Sequence, residues 1–177
     1  MNYFLPKDYA DYYCSKQDPT PLLMKEVNAL NGVVKFHEVF KHPIQNNPVI
    51  PDKKRCNLRV ELIQEELNEL QEAIDDNNLI EVADALCDIQ YVLAGAVLEF
   101  GFGDKFSELF DEVQRSNMSK ACETEDEARK TVEYYAKEGT VAYISASDGK
   151  YLIYRKSDNK TLKSINYSPA NLKNILS

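Results

Sequence analysis

Three carboxylates stand one helical turn apart in a segment that is otherwise almost wholly apolar. From Glu81 the chain reads EVADALCDIQYVLAGAVLEF, and the only strongly polar side chains between Glu81 and Glu99 are Asp84, Asp88 and Gln90. At about 100° per residue, Glu81, Asp84 and Asp88 fall on a single helix face. A helix apolar nearly all round belongs in a core, where an unpaired carboxylate is costly to bury. Such acids persist when something positive is held between them, and oxygen donors suit a hard divalent cation.

The preceding segment supplies the other half of such a site. Residues 58–74 read LRVELIQEELNELQEAI, with Val60, Ile63, Leu67, Leu70 and Ile74 spaced as the core seam of a helix. Glu66 and Glu69 lie on the flank of that seam, while Glu61, Glu65 and Glu72 sit further round, towards solvent. The stretch Asp75 to Asn78 breaks the pattern and lets the two helices fold back antiparallel. Glu66 and Glu69 then face Glu81 and Asp84, four oxygen ligands for Mg²⁺. The plainer reading is a solvated acidic face, which is how most E-x-x-E pairs on amphipathic helices behave. The second helix tips the balance, because its acids have so little polar company. A di-iron carboxylate bundle needs Glu-x-x-His pairs, and the two histidines, His37 and His42, are not placed that way.

The run EELNEL (Glu65 to Leu70) followed by EVAD (Glu81 to Asp84) resembles the all-α nucleoside triphosphate pyrophosphohydrolases, whose hallmark is EExxE and then ExxD on the next helix. That superfamily includes MazG, the dimeric dUTPases, the dCTP pyrophosphatases and the phosphoribosyl-ATP pyrophosphohydrolases. RSNMSK (Arg115 to Lys120) looks like the N-x-x-K element that closes the site in several branches. RVELIQEELNEL, RSNMSK and a late DGK…LKS…YSP signature are similar to the phosphoribosyl-ATP-pyrophosphohydrolase-like group. The resemblance covers residues 30–120 well and 149–172 more loosely.

The resemblance implies a mainly α fold, a four-helix bundle, assembled as a homodimer or homotetramer. It implies Mg²⁺-dependent hydrolysis of a (deoxy)nucleoside triphosphate to the monophosphate and pyrophosphate, as nucleotide-pool house-cleaning, with Mn²⁺ as a substitute cation. Glu66, Glu69, Glu81 and Asp84 become the metal ligands, and Glu65 and Glu66 the candidate catalytic acids. In that role Glu65 prepares water; otherwise it is simply solvated. Lys120 matches the family's phosphate-contacting lysine and Asn117 its substrate-facing asparagine. Without the family, both are ordinary residues at a helix C-terminus, where a lysine suits the dipole. Arg59, two turns before Glu66, is a candidate for a substrate phosphate or for an ion pair with Glu61 or another carboxylate. Asp88 is assigned to the substrate side, and Phe36, Phe40 and Tyr91 either stack a base or fill the core. The alternatives are phosphoribosyl-ATP as substrate and, from another class, a non-catalytic helical binding module.

Other elements must position these residues. Residues 1–20 form an N-terminal arm, 21–120 the helical bundle, and 121–177 an extension of helix, β-hairpin and terminal segment. Thr20 and Pro21 are the candidate cap and first residue of a helix running to Phe40. The segment 41–54 is a long loop with three prolines. Gly101 to Gly103 ends the third helix, and a fourth covers about 104–117. Thr124 and Glu127 form a capping box for a helix ending at Gly139. TVAYISA and KYLIYRK read as strands joined at Ser147-Asp148-Gly149, and Tyr167-Ser168-Pro169 starts a short terminal helix.

At 177 residues the chain suits one domain with decoration. A net charge of −8 and a pI near 4.9 argue against a nucleic-acid partner, although metal ions let an acidic protein hold a nucleotide. The four cysteines, Cys14, Cys56, Cys87 and Cys122, lack zinc or redox spacing, with Cys87 expected as a small core hydrophobe. No signal-peptide pattern opens the sequence, and the apolar run at 85–98 is too short to span a bilayer. The expected compartment is the cytoplasm.

Overall fold

The computed structural model describes Lys25 and residues 27–177. The expected N-terminal arm, the Thr20 cap, Pro21 and Cys14 lie outside them. The elements are α1 (Ala29–Phe40), α2 (Lys53–Asp75), α3 (Leu79–Glu99), α4 (Phe106–Met118), α5 (Glu125–Lys137), β1 (Ala142–Ser147), β2 (Lys150–Arg155) and α6 (Leu172–Leu176). The mainly helical fold with a β-hairpin extension is therefore present. The first described helix begins at Ala29, and the expected start at Pro21 lies outside the described residues. Lys25, Val27 and Asn28 are exposed and non-helical.

Local chemistry sets the α2–α3 hairpin. Asp52 caps α2 by accepting from the Arg55 N–H at 3.0 Å. Asn77 takes a positive φ of 52° in the turn. Asn78 then caps α3 by accepting from the Ile80 and Glu81 N–H groups at 3.2 and 3.4 Å. α3 packs on both α2 and α1. Against α1 the contact is a small core of Val33, Ala94 and Leu98, edged by Ala29, Leu30 and Val34.

The face of α2 that meets α3 is not the seam its apolar spacing predicts. Arg59 and Ala73 are its buried residues. Val60, Leu67 and Ile74, seven residues apart, are 68, 45 and 53 % exposed. Leu79, Ile80, Leu86 and Leu93 on α3 are exposed as well, and Cys87 is exposed rather than core. Periodicity finds an apolar stripe but does not say which neighbour covers it.

The loop between α1 and α2 is tied along the end of α3. The Gln45 N–H donates to the Leu98 carbonyl and the Val49 N–H to the Phe100 carbonyl, both at 3.0 Å. Gly101 has φ +71°, and a Cβ there would sit 1.9 Å from the Asn47 carbonyl oxygen. Only glycine meets both demands.

The C-terminal part has its own core, in which Cys122, Ala128, Ile153 and Leu162 are packed by Val132, Tyr135, Ala142 and Tyr151. Thr124 caps α5 by accepting from the Glu127 N–H at 3.2 Å. The Glu127 carboxylate in turn accepts from the Glu123 N–H at 3.0 Å. The hairpin turns at Asp148 and Gly149, both with positive φ, the geometry of a tight two-residue turn. β1 and β2 pair antiparallel with Ser147 opposite Lys150. The outer edge of β2 is covered within the chain, because Cys122 bridges to Tyr151 and Thr161 to Tyr154.

Candidate functional site

The acidic cluster forms along the α2–α3 hairpin and is centred on Glu66. One carboxylate oxygen of Glu66, Oε2, is buried without a hydrogen-bond partner. The Glu66 carboxyl is pushed above the usual glutamate range, first by burial and then by the charges of Asp88, Glu69, Glu65 and Asp84. Two helices thus bring Glu66, Glu69, Asp84 and Asp88 together, with Glu65 beside them. Asp88 acts on Glu66 more strongly than Glu69 or Asp84 does, so it belongs with the acidic group. Glu81 lies in the first turn of α3 and is exposed; it is not among the charges that act most strongly on Glu66. Asp84 is exposed and Asp88 half-buried, less enclosed than an apolar helix suggests.

Among the described residues, no three His, Cys, Asp or Glu side chains converge on one point as a finished metal site does. The residues still fit a hard divalent ion by their chemistry. Every donor is oxygen, several negative charges share one small region, and a buried Glu66 oxygen lacks the partner that burial demands.

Arg59 is placed differently from its expected phosphate role. It is buried, and its Nη2 donates to Glu99 and lies 3.3 Å from His37 Nε2. Arg55 Nε also donates to Glu99, at 3.0 Å. Burial pushes the Glu99 carboxyl up, but the bonds and charges of Arg55 and Arg59 outweigh it and hold the group below its ordinary range. The guanidinium of Arg59 is therefore occupied by a carboxylate from α3, the ion-pair reading with a different partner from Glu61. Spacing offers no sign of Glu99, since forty positions separate it from Arg59. A Cβ on Gly95 would meet Arg59 Nη1 at 2.6 Å, so the glycine makes room for this pair.

Phe36, Phe40 and Tyr91 come together beside His42. The Phe36 ring lies 4.3 Å from Phe40, 5.6 Å edge-on from Tyr91 and 5.7 Å in a stack with His42. All three aromatic residues remain partly exposed, one helical turn from Asp88. His37 is buried, with Nδ1 2.9 Å from the Pro43 carbonyl, as a satisfied helix residue.

Asn117 and Lys120 are joined directly, with Lys120 Nζ donating to Asn117 Oδ1 at 2.7 Å. They stand at the end of α4, whose main partner helix is α6; α4 packs extensively on neither α2 nor α3. Within one protomer, then, the lysine and asparagine are not brought onto the acidic cluster.

Comparison with known proteins matches residues 33–117 to the family model described as phosphoribosyl-ATP pyrophosphohydrolase. That stretch runs from α1 to the end of α4 and contains the whole acidic hairpin. Over that stretch the helical region is similar to the all-α nucleoside triphosphate pyrophosphohydrolases. A family of that description comprises hydrolases that release pyrophosphate from a nucleotide. The chain is also similar to an uncharacterized protein of Acanthamoeba polyphaga mimivirus, 26% identical over 236 residues, covering 82% of this chain and 94% of the relative. The match therefore reaches beyond the helical region into the C-terminal part. Among the described residues, no helix is long and apolar enough to cross a membrane.

Proposed function

We propose that the protein hydrolyses a (deoxy)nucleoside triphosphate to the monophosphate and pyrophosphate, as a Mg²⁺-dependent house-cleaning enzyme. The observation that carries this reading is the partnerless buried oxygen of Glu66 amid the charges of Glu65, Glu69, Asp84 and Asp88. Glu66, Glu69 and Asp84 would hold the cation, with Glu81 at the open end of the hairpin. When bound, Mg²⁺ or Mn²⁺ neutralises phosphate charge and makes a coordinated water more acidic. Glu65, exposed beside Glu66, is the residue positioned to take a proton from water. Phe36, Phe40 and Tyr91 offer aromatic faces to a base, and Lys120 with Asn117 offers donors to phosphate oxygens.

A second copy of the chain completes this arrangement. The exposed stripe of Val60, Leu67 and Ile74, and the exposed leucines of α3, form apolar surface larger than an isolated protomer tolerates well. A homodimer, or a tetramer built from it, would cover the stripe and let Asn117 and Lys120 of one copy approach the acids of another. Light scattering at low micromolar concentration should give at least twice the monomer mass of 20.3 kDa. A monodisperse, fully active monomer would refute the assembly.

Phosphoribosyl-ATP is a second substrate reading, favoured by the description of the matching family model. A panel of triphosphates and phosphoribosyl-ATP, scored for pyrophosphate against orthophosphate release, decides between them. Lys120→Ala should weaken a non-hydrolysable triphosphate about tenfold, the scale of one charge-assisted contact, without changing metal affinity. Calorimetry measures both, and unchanged nucleotide affinity would leave Lys120 as a helix-end cation.

A further inference from the structure

The segment after the hairpin is tied to the C-terminal core and to the end of α4. Leu162 is buried in the C-terminal core. The Ser164 hydroxyl donates to Glu127, and its N–H donates to the Lys120 carbonyl at 3.1 Å. Ser119 Oγ accepts from the Ser168 N–H at 3.0 Å. Arg115 is held by Glu112 and donates to the Pro169 carbonyl at 3.1 Å. The Tyr167 hydroxyl lies 3.1 Å from Ser116 Oγ.

Lys163 is the exception. Its backbone N–H donates to the Tyr135 hydroxyl at 3.2 Å, but its ammonium is exposed and stands 4.2 Å from the centre of the Tyr167 ring. Among the described residues neither Lys163 nor Lys120 forms an ion pair with a carboxylate. The positive charges of Lys163, Lys120 and Arg115 all reach the Tyr167 phenol. After its bond to Ser116 they help hold its acidity above that of an ordinary tyrosine.

We infer that Lys163 and Tyr167 extend the phosphate-binding edge begun by Asn117 and Lys120, and that the ligand is a polyphosphate: the phosphate chain of the substrate or the pyrophosphate product. Two ammonium groups, a phenol and an amide spaced along one edge suit a ligand with several anionic oxygens rather than a single carboxylate. The cation–π contact holds the Lys163 ammonium in place while leaving its other protons open to a ligand. The identity of the ligand rests on the proposed function; the anion site rests on the Lys163–Tyr167 and Lys120–Asn117 contacts and on the Ser164 to Lys120 backbone bond that joins them.

Inorganic pyrophosphate, titrated calorimetrically into the full chain in EDTA, is the test. Lys163→Met keeps the apolar stem against Tyr167 and removes the charge, so affinity should fall about tenfold. Lys163→Arg should stay within about threefold, and Lys173→Met, a surface control on α6, should change nothing. Loss of less than about twofold in Lys163→Met, equal losses in Lys163→Met and Lys173→Met, or no binding by the wild type at millimolar pyrophosphate would each overturn the inference. Turnover by the wild type separates the two claims. Lys163-dependent pyrophosphate binding without any triphosphate hydrolysis would leave the anion site standing and remove the activity. Hydrolysis with Lys163→Met unchanged in KM and in pyrophosphate affinity would do the reverse.

Discussion

Glu66→Gln should lower turnover at least about a hundredfold, the scale of losing one electrostatic contributor to a charged transition state, while raising the melting temperature of the metal-free protein. Both effects come from the same carboxylate. An amide occupies the same space but cannot offer negative charge to a cation, and it no longer repels Asp88, Glu69, Glu65 and Asp84. The pH dependence has a definite sign. Because the native Glu66 carboxyl titrates above its unfolded value, the native state binds more protons between those two values, and stability falls as pH rises through that window. The advantage of Glu66→Gln in EDTA should therefore be absent well below the ordinary glutamate range and fully developed at neutral pH. Thermal melts from pH 4 to 8, with and without Mg²⁺, provide the check. Asp84→Asn and Glu69→Gln should lose activity in the same way. A fully active Glu66→Gln variant in Mg²⁺ would sink the site.

Glu99→Ala should be the most damaging substitution to the fold. Glu99 is 1 % exposed and accepts from both Arg55 and Arg59, the latter itself buried. Removing it leaves a buried guanidinium uncompensated, which costs on the order of 3–5 kcal/mol. In a chain of this size that is a fall in melting temperature of roughly 6–20 °C. The charge and the packing can be separated. The triple variant Arg55→Met, Arg59→Met, Glu99→Leu should recover most of the loss, since apolar replacement of a whole buried ion cluster is often tolerated. Failure of the triple variant alongside an undamaged Glu99→Ala would contradict this reading.

What the sequence made legible follows from spacing. Acids three or four apart on two helices joined by a short polar turn are easily read, and the charges of Glu69 and Asp84 do act on Glu66. The cap at Thr124 and the Asp148-Gly149 turn were equally readable, because each depends on residues within four positions. Contacts across long separations were not. Glu99 reads as the last residue of an apolar run, and only the fold reveals that it meets Arg55 and Arg59. The same limit explains Val60, Leu67 and Ile74, whose period marks an apolar stripe without naming the surface it faces. Cys87 reads as core for its apolar neighbours, yet lies on the open side of α3.

The central claim is that this acidic hairpin serves the release of pyrophosphate from a nucleotide. Phosphorus NMR of one reaction, full-length wild-type protein with a panel of nucleoside triphosphates in Mg²⁺, tests it most directly. The account predicts monophosphate and pyrophosphate appearing in equal amounts, arrested by EDTA and absent with Glu66→Gln. Diphosphate with orthophosphate as products, or equal turnover by the wild type and Glu66→Gln, would contradict it.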